Sequence, residues 1–164
     1  MAGDVRLTPM NEQNLEPLLS VAAAEAEPAE VMPPVEAPAG WSQARRDAFR
    51  EFHRANFGGL DGPTRTVMYA IQASGEVVGM IRMSRTDAPD CVETGMWLGR
   101  SARGQGIGLA ALRALLDEAV RAGASRVVAS TTTGNGAALA VLGRCGAELR
   151  SDGSAVQAEL RLDA

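Results

Sequence analysis

Lysine is missing from this 164-residue sequence: all 16 of its basic residues are arginine. That absence excludes a phosphate loop of the Gly-Lys-Ser/Thr type, whose lysine reaches the terminal phosphates. Cysteine is scarce too. Cys91 and Cys145 are too few for a disulfide framework or a zinc site, so no metal is expected and each reads as a buried or half-buried thiol. The only histidine, His53, falls among charged residues on an expected helix, where it reads as a solvated or lightly packed ring. No apolar run approaches the roughly 20 residues that a membrane span requires. The start, Met1-Ala2-Gly3-Asp4, also lacks the basic and apolar regions of a signal peptide. The expected location is therefore cytoplasmic, with no membrane partner. A net charge of −4 gives no support to nucleic-acid binding. Base is also missing locally: no basic residue lies between Arg6 and Arg45, a stretch that holds Glu12, Glu16, Glu25, Glu27, Glu30 and Glu36. Such an imbalance suggests a cationic partner, or a solvated face.

What the sequence does contain, 46% hydrophobic and 22% charged residues, fits one globular domain over 1–164. Val5-Arg6-Leu7 reads as a short strand, and Thr8 or Asn11 can open a helix through Leu15, Leu18, Leu19 and the alanines at 22–24. Pro28, Pro33, Pro34 and Pro38 then predict a loop over the acidic stretch 25–40. Ser42 is placed to cap a helix with Ala48, Phe49, Phe52 and Ala55 on one face and Arg46, Arg50 and Arg54 on another. From Arg65 the period changes to two, predicting a hairpin that turns at Ser74-Gly75 and a third strand over 92–98. On that strand Glu93, Gly95 and Trp97 share one face, and Val92, Thr94, Met96 and Leu98 the other. Leu109, Leu112, Leu115, Leu116, Ala119 and Val120 form the clearest amphipathic stripe, which Gly123 ends. A strand over 125–130, a short helix over 135–144 closed by Gly146, and a last strand through Val156, Ala158, Leu160 and Leu162 complete the pattern. Strands interrupted by helices imply a mixed sheet.

The most informative segment is Arg103-Gly104-Gln105-Gly106-Ile107-Gly108, between a strand and that strong helix. Backbone N–H groups and the positive end of the helix dipole converge there, so an anion fits. Glycine at 104, 106 and 108 lets the backbone approach a diphosphate, and Arg103 can add a charged donor. A plain strand-to-helix turn would use the same glycines. A dinucleotide-binding fingerprint would need glycine at Leu109 and would normally follow the first strand of its unit.

These residues resemble the GNAT family of N-acetyltransferases, whose pyrophosphate loop has the form Arg/Gln-x-x-Gly-x-Gly/Ala, matched by 103–108. Asn135, Ala138 and Gly146 match the family's downstream segment, and Val92-Glu93-Thr94-Gly95-Met96-Trp97-Leu98 looks most like the RimJ/RimL branch, which acetylates amino termini of ribosomal proteins. The resemblance implies an α/β fold of the α+β kind: a central mixed, mostly antiparallel twisted sheet of six to seven strands, flanked by about four helices. It implies acetyl-CoA as cosubstrate, held by Arg103, Gly104, Gln105, Gly106, Ile107 and Gly108, by backbone N–H groups near Trp97 and Leu98, and by Asn135 and Ala138. Asn135 also reads as a simple helix cap.

By the same resemblance Glu93 is the candidate base that takes a proton from the acceptor ammonium, a step the chemistry requires because only a free amine attacks a thioester. The tyrosine that serves many members as general acid is replaced here by Leu142, and the aromatic usual after Gly146 by Ala147. The expected acceptor is the primary amine of a small cationic molecule, aminoglycoside- or polyamine-like, because the acidic first segment lies where members build part of the acceptor groove. The alternatives are the amine of a peptide or protein N-terminus, as the branch suggests, and a non-catalytic CoA-binding regulatory module. A second copy of the chain, in a homodimer, is the other partner considered.

Overall fold

The computed structural model describes residues 4–162. Its elements are β1 (Val5–Pro9), α1 (Glu12–Glu25), α2 (Pro28–Val31), α3 (Gln43–Arg54), β2 (Thr66–Ala73), β3 (Glu76–Arg85) and β4 (Cys91–Leu98). A 3-10 turn at Arg100–Ala102 leads into α4 (Ile107–Arg121), followed by β5 (Arg126–Thr132), α5 (Gly136–Arg144), β6 (Glu148–Asp152) and β7 (Ala155–Arg161). The seven strands form one sheet in the order β1-β2-β3-β4-β5-β7-β6. Every pair is antiparallel except β4–β5, which is parallel. The mixed, mostly antiparallel sheet read from the sequence is therefore present, with five helices around it. No helix among the described residues is long and apolar enough to cross a membrane.

Local signals explain most of the boundaries. The Asn11 side chain accepts from the N–H groups of Gln13 and Asn14, and Asn14 returns a bond to the Asn11 N–H, so a reciprocal cap opens α1. Ser42 caps α3 through the Arg45 N–H. Gly123 follows α4 with φ of 90°, a left-handed conformation that ends the helix without strain.

Because strand side chains alternate, the sheet separates two cores. Ile81, Met83, Val92, Val127, Ala158 and Leu160 pack against Ile107, Ala111, Leu112 and Leu115 of α4 on one face. Met68, Ala70, Met80 and Trp97 pack against Leu15, Leu18, Leu19 and Phe49 of α1 and α3 on the other. Two layers of helix thus sandwich the β1–β4 half of the sheet.

Three readings are corrected. The Pro-rich stretch is not all loop, since Pro28 opens the single-turn helix α2, where its missing N–H costs nothing. Pro38, Gly40, Val35 and Ala37 give their carbonyls to the Arg45 guanidinium, which fixes the remainder of the stretch. A strand, β6, occupies Glu148–Asp152; all five of its residues are exposed, so no alternation marked it.

His53 is the third correction. It is fully buried, not solvated, stacked 4.1 Å from the Phe49 ring with its edge against Phe52. Its Nδ1–H donates to the Phe49 carbonyl at 2.8 Å, which leaves Nε2 a buried acceptor with no partner among the described residues. Charged neighbours in sequence misled because Arg50 and Arg54 turn outward to Glu16 and Glu12 of α1 while His53 turns inward.

Burial holds the His53 pKa below its ordinary value, against the smaller opposing effect of the Phe49 carbonyl. The unfolded chain therefore takes up a proton near pH 6.5 that the folded chain resists. Stability is fully present above that pH and falls as pH drops below it, by at most about 1.4 kcal/mol per pH unit. Glu12 and Glu16, held low by hydrogen bonds from Arg54 and Arg50, lose their contribution only in more acid solution. Urea denaturation of the wild type between pH 7.5 and 5 should show this decline, and His53→Phe should flatten it; an unchanged slope in the variant would assign the proton uptake to another group.

Candidate active site

β4 and β5 pair only over Cys91–Glu93 and Arg126–Val128, and then part. The gap is a cleft whose inner end is lined by Ile81, Thr94, Leu112, Ala129 and Leu142, with a volume of about 130 Å3. Its outer part, about 610 Å3, is bounded by Trp97, Leu98, Arg103, Gly108, Thr132 and Gly134. Met96, Asn135, Ala138 and Val141 line both parts, so the two form one channel.

The channel wall on the β4 side is backbone. The Gly99 N–H donates to the Val78 carbonyl, so by the alternation of an antiparallel pair the odd-numbered residues of β4 bond β3. Thr94, Met96 and Leu98 turn their N–H and C=O groups the other way, into the cleft. Of the two positions read as near the acyl arm, Leu98 faces the channel in this way, while Trp97 turns its indole into the core beneath α1 and α3. The buried Trp97 Nε1–H finds no acceptor among the described residues.

At the mouth, Arg103 Nε donates to the Leu98 carbonyl at 3.1 Å, and Gln105 Nε2 donates to the Ser101 carbonyl at 2.7 Å. These two side chains therefore brace the loop. Gly104 and Gly106 take φ of 76° and 81°, conformations that a side chain would strain. Gly106 caps α4 without a side chain, and the first turn of α4 carries no acid, so the opening N–H groups of the helix have no partner from within it. A diphosphate would find backbone donors, a helix dipole and no competing carboxylate here, which is what coenzyme A needs. The residues fit that group.

Across the channel, Asn135 Oδ1 accepts from the Ala138 N–H at 3.1 Å and caps α5. The capping reading of Asn135 is thus realised, in a residue that also lines the channel. Leu142 is buried at the inner end and offers no proton. Glu93 stands at the apex where the strands part, on the face away from α4, and Arg82 Nη1 donates to its Oε1 at 2.6 Å. Arg82 was not legible as a site residue, since one arginine in an alternating strand carries no signal. Val141 also lines the cleft without any mark in the sequence.

Gly106 gives a test of the loop. Its φ of 81° is a conformation that a β-branched side chain strains, and a valine there also blocks the approach of a phosphate to the backbone. In Gly106→Val, calorimetric titration should show acetyl-CoA binding weakened about tenfold or more; wild-type affinity would place the cosubstrate elsewhere.

A family model described as an acetyltransferase (GNAT) domain matches residues 4–148. Among solved structures, the chain is similar to Mycobacterium smegmatis RimJ in complex with a CoA-disulfide, with a TM-score of 0.78 and 22% identity over 98% of this chain and 83% of that one. It is similar to RimL, a ribosomal alpha-N-protein acetyltransferase in complex with coenzyme A, with a TM-score of 0.77 and 22% identity over 98% and 95%. The GNAT domain of S. lividans PAT gives 0.72 and 18% over 98% and 92%. At these identities the likenesses concern the fold. No curated protein matches the sequence. The family match spans most of the chain, over a sheet that parts at β4 and β5 and a glycine-capped α4: the chain belongs to the acetyltransferase (GNAT) domain family and is an acetyl-CoA-dependent N-acetyltransferase.

Proposed function

We propose that the chain, as one acetyltransferase domain in the cytoplasm, acetylates the α-amine of a peptide or protein N-terminus. The observation that carries this reading is where the acidic segment spends its charge. Glu12 and Glu16 pair with Arg54 and Arg50, Glu25 accepts from the Ser101 N–H, Glu27 lies 3.8 Å from Arg100, and Glu30 accepts from the Glu27 N–H. Of the six glutamates, Glu30 alone borders the channel. Three of the six are thus matched by arginines, and only one borders the channel, so the segment does not form the polyanionic groove that a polyamine or aminoglycoside would need. One carboxylate at the apex, Glu93, suits an acceptor with one ammonium. The likeness to RimJ and RimL supports the same choice.

When bound, acetyl-CoA supplies an acetyl thioester as the acyl donor. The chain's own residues do the rest. Arg103, Gly104, Gln105, Gly106, Ile107 and Gly108 hold the diphosphate through backbone and guanidinium donors, and Leu98, Asn135 and Ala138 flank the arm with Trp97 behind it. N–H groups of β4 turned into the cleft are fixed donors for a carbonyl oxygen that gains charge, which needs no reorganisation at the moment of reaction. Glu93 takes a proton from the acceptor ammonium, so that the amine can act as a nucleophile.

Glu93→Gln should lower kcat/KM by about a hundredfold or more while acetyl-CoA affinity stays within about twofold; unaltered turnover would remove Glu93 from the reaction. A peptide array assayed beside a panel of polyamines and aminoglycosides tests the acceptor. Peptides with free N-termini should be the better acceptors, and exclusive labelling of the small amines would overturn the reading.

A further inference from the structure

Arg82 stands opposite Gly95 in the β3–β4 register. The missing side chain of Gly95 lets the guanidinium lie flat on the strand: a Cβ there would come within 2.9 Å of Arg82 Nη2 and 3.2 Å of Cζ. Thr94 Oγ1 also donates to the Arg82 carbonyl at 2.8 Å, so two cleft-lining residues of β4 fix this arginine. Its Nη1 donates to Glu93 Oε1 at 2.6 Å and comes within 3.5 Å of Ser84 Oγ.

A guanidinium carries five N–H groups in a rigid plane, and a carboxylate has two oxygens. Among the described residues, Arg82 Nε and Nη2 bond no acceptor and Glu93 Oε2 receives no donor. The side chains are 31% and 38% exposed and these unpaired atoms are not buried, so they are accessible beside the point where β4 and β5 part. The pair thus offers a donor fork and a carboxylate oxygen side by side.

We propose that this pair selects the acceptor: Glu93 receives the α-ammonium of a peptide, and the free N–H groups of Arg82 receive the carbonyl oxygen of its first residue. In an α-aminoacyl group those two functions are joined through the α-carbon and the carbonyl carbon, which holds nitrogen and oxygen roughly 3 Å apart. That spacing matches neighbouring atoms of one ion pair. A lysine side chain or a polyamine brings an ammonium with no carbonyl at that spacing, so nothing on it offsets the Arg82 charge beside Glu93. The assignment rests on the peptide reading above and adds the residue that makes it specific.

Steady-state kinetics with two acceptors test it: a short peptide, and its isostere in which an alkene replaces the first amide and removes that carbonyl. Wild type should favour the peptide about ten- to a hundredfold in kcat/KM, as expected for loss of a hydrogen bond to a charged group. In Arg82→Gln that preference should collapse toward unity, because any harm done through Glu93 falls on both acceptors alike, and Arg82→Lys should restore it in part. If wild type acetylates both equally, or if the preference survives in Arg82→Gln, the assignment is wrong although the peptide reading stands. If polyamines are acetylated and the peptide is not, the peptide reading falls and the assignment with it. The wild-type ratio requires no variant, so a poorly folding substitution does not remove the test.

Discussion

A strand in the middle of the sheet that stops pairing is the constraint around which the molecule is built. β4 bonds β5 through three registered residues and then leaves it, so Thr94, Met96 and Leu98 present ladder groups to an opening instead of to a neighbour. Backbone groups withdrawn from water without partners are costly, which makes such an edge a place for an added extended segment. The elements that follow are placed by that parting. β4 ends in the glycine loop and the bare N-terminus of α4, β5 ends at the Asn135 cap of α5, and Leu112 and Leu142 close the inner end.

Charge on the α1 side serves the same geometry. Glu25 reaches from the end of α1 to Ser101, whose hydroxyl and N–H together hold its pKa below the ordinary carboxylate value. Glu27 approaches Arg100 on the same turn. The end of the acidic helix is thereby tied to the segment that leads into Gly104, while its start is tied to α3 through the Arg50 and Arg54 pairs. These contacts are exposed, so their value lies in position more than in stability.

Several features were readable because they depend on neighbours in sequence. The helix over 109–120, the Ser42 and Asn11 caps, and the glycines at 104, 106 and 108 act over one or two turns of chain and are found in place; of the stripe, Leu112, Leu115 and Ala119 are buried and Leu116 packs beside them, whereas Val120 is 45% exposed because Ile107 and Ala111 turn the buried face away from it. His53 and β6 were not readable. The direction of His53 depends on α1 drawing the arginines of α3 outward, and β6 is defined by its bonds to β7 while exposing every residue. The six glutamates were visible as a group, but their partners lie up to 76 positions away.

The sequence alone determined the family loop, the alternation of strands and helices, and the presence of one acid at 93 on the strand that feeds the loop. Those properties follow from hydrophobic period, backbone conformation and local capping, which act over short stretches of chain. The tertiary structure decided that β4 and β5 part just past Glu93, that Glu12, Glu16 and Glu27 of the acidic segment meet arginines, and that Arg82 lies across Gly95 onto the acid at 93. Each of these is a meeting of side chains or strands distant in sequence, and only the packing of the sheet against its helices fixes which of the available partners meet.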